Sequence, residues 1–409
     1  MRHSGSFRID RSRLALVAGL AVDNFGSGLF LPLAMVYAVR IVDLSVDAAG
    51  VIVATATALG LAVPAVAGRL THRVGPRAVV VTSQLVQAAG ALAYLRADSA
   101  TAVFVAAALL SIGTQLFYCS LFVLVADVST TTTKERPFAL VTMVRAGAFG
   151  LGTLTAAVLL AWGSDSVLRW LVAANAVSFV VAAILLAVLV RTAPMERPTS
   201  RAVGPLTVLR DRTYLALMAA VFLIDLADFS LVGVPIYLIE VVEAPAWLPG
   251  ALLATSTALL SLLGVRIVDT LHGRRRTQSL QGASVIYAVW AVLTMAMLWV
   301  PTPLLVPYAF AIWLLRVGAT MAFFPIAGAL SEALPPPERR AAAMATYQYA
   351  FTTAQVAAPA VVALFAVADW LPWAVLTAAS LAATAIVGRL GRTIPSHIDR
   401  PAVLAGADR

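Results

Sequence analysis

Runs of Ala, Leu and Val fill most of the chain, and short clusters of Arg, Pro and Gly interrupt them at intervals. A helix needs about 20 mainly apolar residues to cross the hydrocarbon core of a bilayer. Twelve runs are of that order: 14–39, 48–67, 78–95, 100–125, 138–162, 167–190, 214–239, 246–268, 280–300, 304–330, 341–367 and 371–387. None shows the apolar–polar alternation of a barrel strand, so each predicts a helix. The expected class is an all-α membrane protein with twelve transmembrane helices and little room for a soluble domain.

Composition agrees: 61% of residues are hydrophobic, 12% are charged, and the mean hydropathy is +0.91. Soluble domains carry roughly 25% charged residues. The net charge of +9 would suit a nucleic-acid binder, but its placement does not. Basic residues gather in alternate connections: Arg69, Arg73 and Arg77; Lys134 and Arg136; Arg191 to Arg212; Arg266 and Arg274 to Arg276; Arg339 and Arg340. The other connections hold only Arg40, Arg96 and Arg169. Positive residues accumulate on the cytoplasmic side of membrane proteins, which predicts a plasma (inner) membrane protein with both termini in the cytoplasm and no nucleic-acid partner. The first run carries Asp23, is too long for a signal-peptide core and lacks a small-residue cleavage site, so it is expected to stay attached. Cys119 is the only cysteine, which excludes an intrachain disulfide and a thiolate metal cluster.

The segment "RTAPMERPTSRAVGPLTVLRDR", 191–212, reads as a cytoplasmic linker. It divides the chain into an N-terminal six-helix half, 1–190, and a C-terminal six-helix half, 213–409. An offset of about 205 residues lays Asp23 on Asp228, Asp127 on Glu332 and Gly113 on Gly318, each time joining corresponding helices. Two such halves imply a small-molecule site near the membrane midplane.

Three stretches carry a resemblance. "GRLTHRVGPR", Gly68 to Arg77, resembles the loop motif of the major facilitator superfamily, and "VRIVDTLHGRRR" is a degraded copy in the second half. "LVADVSTTTTKERPFAL" is similar to the family's acid at the end of helix 4 and the E-R that follows. "DNFGSGLFLP" looks like the opening helix of the family's drug:proton antiporter branch. The resemblance implies a secondary transporter working by alternating access as a monomer, without a cofactor. Its leading version is proton-coupled export of drug-like or secondary-metabolite compounds. The alternative is a proton-coupled importer or a facilitator for a small organic nutrient.

The resemblance also implies a latch, in which Arg73 or Arg77 holds Asp127, with Gly68 and Gly75 permitting the tight turn. The other reading of this loop is a basic segment that serves topology alone. The family's acid is His72 here, so that arm is lost or becomes sensitive to pH near neutrality. Exporters of this type carry an arginine in helix 4, where this chain has Ala107, and a Gly-Pro in helix 5, where it has "RAGAFGLGT" with Thr153 at the proline position. Arg145 stands at a depth similar to Asp23, and a buried pair between them would neutralise both. Such a pair would be structural, or Asp23 would exchange protons or contact substrate.

In the second half, "FLIDLADFSLVGVP" places Asp225 and Asp228 on one helical face near the midplane. A charge within lipid costs several kcal/mol, about 2.5–3.5 on insertion scales, so a function is the default expectation. Two like charges this close cannot both ionise cheaply, and Arg316 lies at a similar depth. The repeat favours Asp228 as the proton carrier, with Asp225 the partner of Arg316; an inert charge cluster is the other reading. Asn24, Gln115, Tyr118, Trp313, Tyr347 and Gln348 are candidate cavity residues for an amphipathic organic ligand, or core filler. Trp370 and Trp373 are assigned to the interfacial belt. No phosphate-binding loop, H-E-x-x-H or G-x-S-x-G occurs, so neither ATP-driven work nor hydrolytic chemistry is expected. An aspartyl dyad would need acids meeting across a scissile bond, whereas Asp225 and Asp228 share one helix.

Overall fold

A computed structural model describes residues 11–129, 134–162, 165–191, 208, 210–229, 233–245, 247–271 and 273–400. Among these residues the regular structure is helical throughout. The helices are α1 (Arg11–Phe30), α2 (Ala34–Arg40), α3 (Val46–Leu59), α4 (Val63–Val74), α5 (Pro76–Leu95), α6 (Ala100–Val128), α7 (Glu135–Trp162) and α8 (Asp165–Leu189). They continue with α9 (Arg212–Phe229), α10 (Val234–Ile236), α11 (Leu248–Thr270), α12 (Arg276–Met295), α13 (Thr302–Ala333), α14 (Arg340–Ala363), α15 (Leu371–Thr393) and α16 (Ser396–Asp399).

Ten helical segments among the described residues are long and apolar enough to cross a membrane. The first and seventh expected spans are not among the ten, and both are interrupted helices. A 3-10 turn, Leu31–Leu33, separates α1 from α2, and proline lies at its start. Likewise, among the described residues α9 runs to Phe229, and α10 begins at Val234 with a proline in its first turn and runs into a π turn, Tyr237–Val241. Proline lacks the amide donor a continuous helix requires and favours a break at these points, although Pro307, Pro325 and Pro359 lie inside continuous helices. These two broken segments carry Asp23, Asp225 and Asp228.

Helix starts show familiar chemistry. The Ser45 hydroxyl accepts from the Ala48 amide, the Ser99 hydroxyl from Ala102, and the Asp211 carboxylate from Thr213 and Tyr214. Between α4 and α5, Gly75 has φ of +86°, which a side chain would resist, and Pro76 then opens α5 where no amide donor is needed.

The chain forms two compact units, Met1–Thr130 with Val144–Val203, and Thr131–Met143 with Gly204–Arg409. The start of α7 groups with the second unit. The contacts explain why: Arg276 pairs with Glu135, Arg136 with Asp269, and Gly264 packs near Met143.

In the first unit α1 and α7 cross closely. A Cβ on Gly28 would sit 2.2 Å from the Phe149 carbonyl oxygen, and one on Gly152 would sit 2.1 Å from that of Phe25. The Thr153 hydroxyl donates to the Gly28 carbonyl at 3.2 Å, so the residue at the proline position fastens the crossing. An edge-to-face triad of Phe30, Tyr37 and Tyr94 fills the core nearby. In the second unit Tyr237, Trp290, Phe365 and Trp373 form a comparable cluster. This corrects the belt assignment of Trp373, which is buried; Trp370 is half exposed.

Candidate functional site

The second unit holds a charged cluster built by four helices. Arg316, on α13, forms an ion pair with Asp228, on α9. The Tyr287 hydroxyl, on α12, donates to the same Asp228 oxygen at 3.0 Å and lies 2.8 Å from the Thr320 hydroxyl. Thr320, one turn beyond Arg316, also reaches the Arg316 carbonyl at 3.0 Å. The guanidinium lies 5.0 Å from the Trp313 ring and 5.8 Å from that of Trp290, a distance at which aromatic faces attract a cation. Trp313 is itself fixed by donating to the Ser256 hydroxyl on α11 at 2.7 Å.

The expected partnership is therefore corrected: Arg316 meets Asp228, and Asp225 is left out. Asp225 is buried, and its Oδ2 has no hydrogen-bond partner among the described residues. Both acids share a face of α9, but Arg316 and Tyr287 converge on the later turn. Tyr347 is buried with its ring 5.1 Å from Phe351, while Gln348 is partly exposed. Tyr287 and Thr320 were not singled out from sequence, because a lone Tyr or Thr inside an apolar run carries no signal of its own.

In the first unit Asp23 and Asn24 are buried on α1. The Asn24 amide donates to the Leu20 carbonyl at 2.9 Å and to Asp23 Oδ2 at 3.1 Å. Arg145 makes no ion pair with Asp23 among the described residues; it donates to the Tyr118 hydroxyl, with its guanidinium 4.6 Å from that ring and 5.7 Å from Phe117. The proposed buried pair is thus replaced by an arginine held on aromatic faces. Gln115 is buried on α6, its Oε1 without a hydrogen-bond partner among the described residues, and Ala107 is buried on the same helix.

Arg77 donates to the carbonyls of Leu186 and Ala187 at the end of α8, where a helix leaves acceptors unpaired and favours positive charge. Among the described residues no ion pair joins Arg73 or Arg77 to Asp127, whose side chain is exposed at the end of α6. Gly68 is buried in α4. Ion pairs of this kind occur in the second unit: Arg340 with Glu332 at 3.1 Å, Arg136 with Asp269 at 3.8 Å, and the buried Arg276 with Glu135. Arg276 also donates to the Ile398 carbonyl, and the Asp399 carboxylate accepts from Thr277 at the start of α12. Asp269 stands in the degraded copy of the loop motif, where the first copy has His72, so this arrangement was partly written in the sequence.

The sequence profile of the Major Facilitator Superfamily matches residues 15–313. The chain belongs to that superfamily. No curated protein sequence matches it. Solved structures share its fold at low identity. A bacterial homologue of the iron transporter ferroportin, in an outward-facing state, is 16% identical with a TM-score of 0.77, covering 93% of this chain and 99% of its own. The human organic anion transporter MFSD10 (TETRAN) is 14% identical with a TM-score of 0.71, covering 92% and 99%. The superfamily transporter FucP, in the outward conformation, is 14% identical with a TM-score of 0.67, covering 93% and 99%. This member of the major facilitator superfamily is accordingly a multi-pass membrane protein with a transporter fold, not an enzyme.

Proposed function

We propose that this chain is a proton-coupled secondary transporter of a small organic molecule, spanning the plasma membrane twelve times with both termini in the cytoplasm. The two broken segments, α1 and α9 with α10, supply the spans beyond the ten continuous ones; alternating access in a monomer is the mechanism. The observation that carries the coupling is the Asp228–Arg316–Tyr287 cluster: a carboxylate, an arginine and a hydroxyl kept together inside an apolar unit at a cost that only a function offsets. The side chain of Arg316 is 5% exposed and that of Asp228 is 29% exposed, so the carboxylate is the more accessible member of the pair.

Asp228 accepts the coupling proton, and Asp225 and Asp23 are secondary candidates. The opening helix supports export of drug-like or secondary-metabolite compounds. The Asp228–Arg316 pair favours the second reading, uptake of a small organic solute together with the proton, because neutralising the carboxylate releases the arginine for the solute. The organic anion transporter among the structural relatives is in keeping with that reading. Purified protein in proteoliposomes should show saturable counterflow of a transported compound from a chemically varied panel. A ligand sensor would bind a compound without counterflow, and that outcome would refute transport.

A further inference from the structure

We propose that the first unit binds a hard metal cation through oxygen atoms of Asp23, Gln84, Asn175 and Ser178, with Na⁺ the occupant that their charge balances. The site lies within the first unit and is independent of the Asp228 cluster in the second.

Three helices bring these side chains to one depth. α1 and α8 run antiparallel: Gly19 packs on Leu186, while a Cβ on Gly26 would fall 1.7 Å from Ser178 Oγ and 3.3 Å from Asn175 Oδ1. Asp23 stands one turn before Gly26 on the same face of α1, level with the turn of α8 that begins at Ser178. α5 starts beside the end of α8, where Arg77 meets the Leu186 and Ala187 carbonyls, and packs along it. About two turns further on, Gln84 reaches the depth of Asp23. Its amide lies beside the carboxylate, outside hydrogen-bond geometry.

These groups are short of partners. Gln84 and Asn175 are fully buried, and neither polar atom of either amide has a hydrogen-bond partner among the described residues. Gln87, one turn after Gln84, shows that the unit can satisfy an amide: it donates to the Ser83 carbonyl at 3.3 Å and accepts from Thr114 at 3.1 Å. Asp23 is buried and makes no ion pair among the described residues; Asn24 donates to its Oδ2 at 3.1 Å. Burying an amide without a partner is costly, and two of them at the depth of a buried carboxylate mark a binding site rather than core filler.

The chemistry selects the ligand. A proton on Asp23 would supply one donor, enough for one amide oxygen. Water would partner the amides and leave the carboxylate charge unbalanced. A metal cation does both, because it neutralises Asp23 and takes the oxygens of both amides, which no hydrogen bond holds in another orientation. All the donors are oxygens, without nitrogen or sulfur, which suits a hard cation rather than a late transition metal. A single carboxylate among neutral oxygens is balanced by one positive charge, hence Na⁺. Ca²⁺ would leave a net charge inside an apolar unit.

Binding of radiolabelled sodium to the purified full-length protein, with choline holding the ionic strength, tests the site. The wild type should bind saturably, with unlabelled Na⁺ competing and choline failing to, and should melt at a higher temperature in sodium than in choline. Gln84→Leu and Asn175→Leu each replace an unpartnered amide with an apolar side chain, so in choline both should melt no lower than the wild type. Both should lose about tenfold or more in Na⁺ affinity, together with the sodium-dependent rise in melting temperature. Asp23→Asn should lose binding likewise. If the amides serve packing alone, the leucine variants melt lower in choline and sodium stabilises none of the proteins. That pattern, no saturable binding by the wild type, or undiminished binding by the leucine variants would each overturn the proposal. Saturable binding of radiolabelled calcium that Na⁺ does not displace would overturn the choice of occupant.

Discussion

Arg316 is paired with Asp228, while Asp225, one helical turn earlier on the same face of α9, keeps a buried oxygen with no hydrogen-bond partner. The two acids therefore have different duties despite their shared face. Removing one partner of a buried pair leaves a charge uncompensated, which costs on the order of 3 kcal/mol. Asp228→Asn should lower the melting temperature of the purified protein, and Arg316→Gln introduced beside it should recover much of the loss. Asp225→Asn should melt close to the wild type. Equal destabilisation by the two single variants would contradict the pairing.

Tyr287 joins α12 to α9 and α13 through Asp228 and Thr320. Tyr287→Phe keeps the ring and deletes both bonds, at a cost of about 1–3 kcal/mol because one acceptor is charged. Thermal unfolding should register it, and the loss should shrink when Asp228 is already Asn. Additive losses would show that the hydroxyl does not act through the carboxylate.

Sequence made the helices legible because lipid demands long apolar runs; most ends lie within a few residues of those expected, while the second and twelfth spans run on to Val74 and Thr393. The two broken segments are informative. Pro32 and the proline of α10 lie inside runs whose apolar character continues, so hydropathy reads through breaks that backbone chemistry imposes. At the site, the residue types were legible and the partnerships were not. Asp225 and Asp228 differ only by which turn faces Arg316, and their spacing along the helix cannot resolve that. Arg145 was assigned to an acid but found aromatic faces and the Tyr118 hydroxyl, which no spacing along α7 reveals. Arg77 found helix-end carbonyls because Leu186 and Ala187 close α8, far away in sequence.

The crossing of α1 and α7 allows no side chain at Gly152. Gly152→Ala should cost about 1–3 kcal/mol through overpacking and reduce the yield of monodisperse protein. Gly250→Ala, where a Cβ meets no atom within 4 Å, should be neutral or slightly stabilising. A tolerated Gly152→Ala would mean that the two helices do not meet as described.

Topology rests on arginine placement. With Cys119 replaced, single cysteines at Ser6 and Ser45 should behave oppositely toward an impermeant thiol reagent on intact cells. Ser45 should label and Ser6 should not. The reverse pattern would invert the protein in the membrane.

Proton coupling through Asp228 is tested most directly by accumulation in proteoliposomes under an imposed pH gradient, measured across a panel of organic compounds. The wild type should concentrate at least one compound when the gradient is present and only equilibrate it when the gradient is collapsed. Asp228→Asn should lose that accumulation and retain exchange of the same compound, since exchange requires no net proton movement. Asp228→Asn protein that still concentrates the compound, with unchanged dependence on pH, would contradict the assignment.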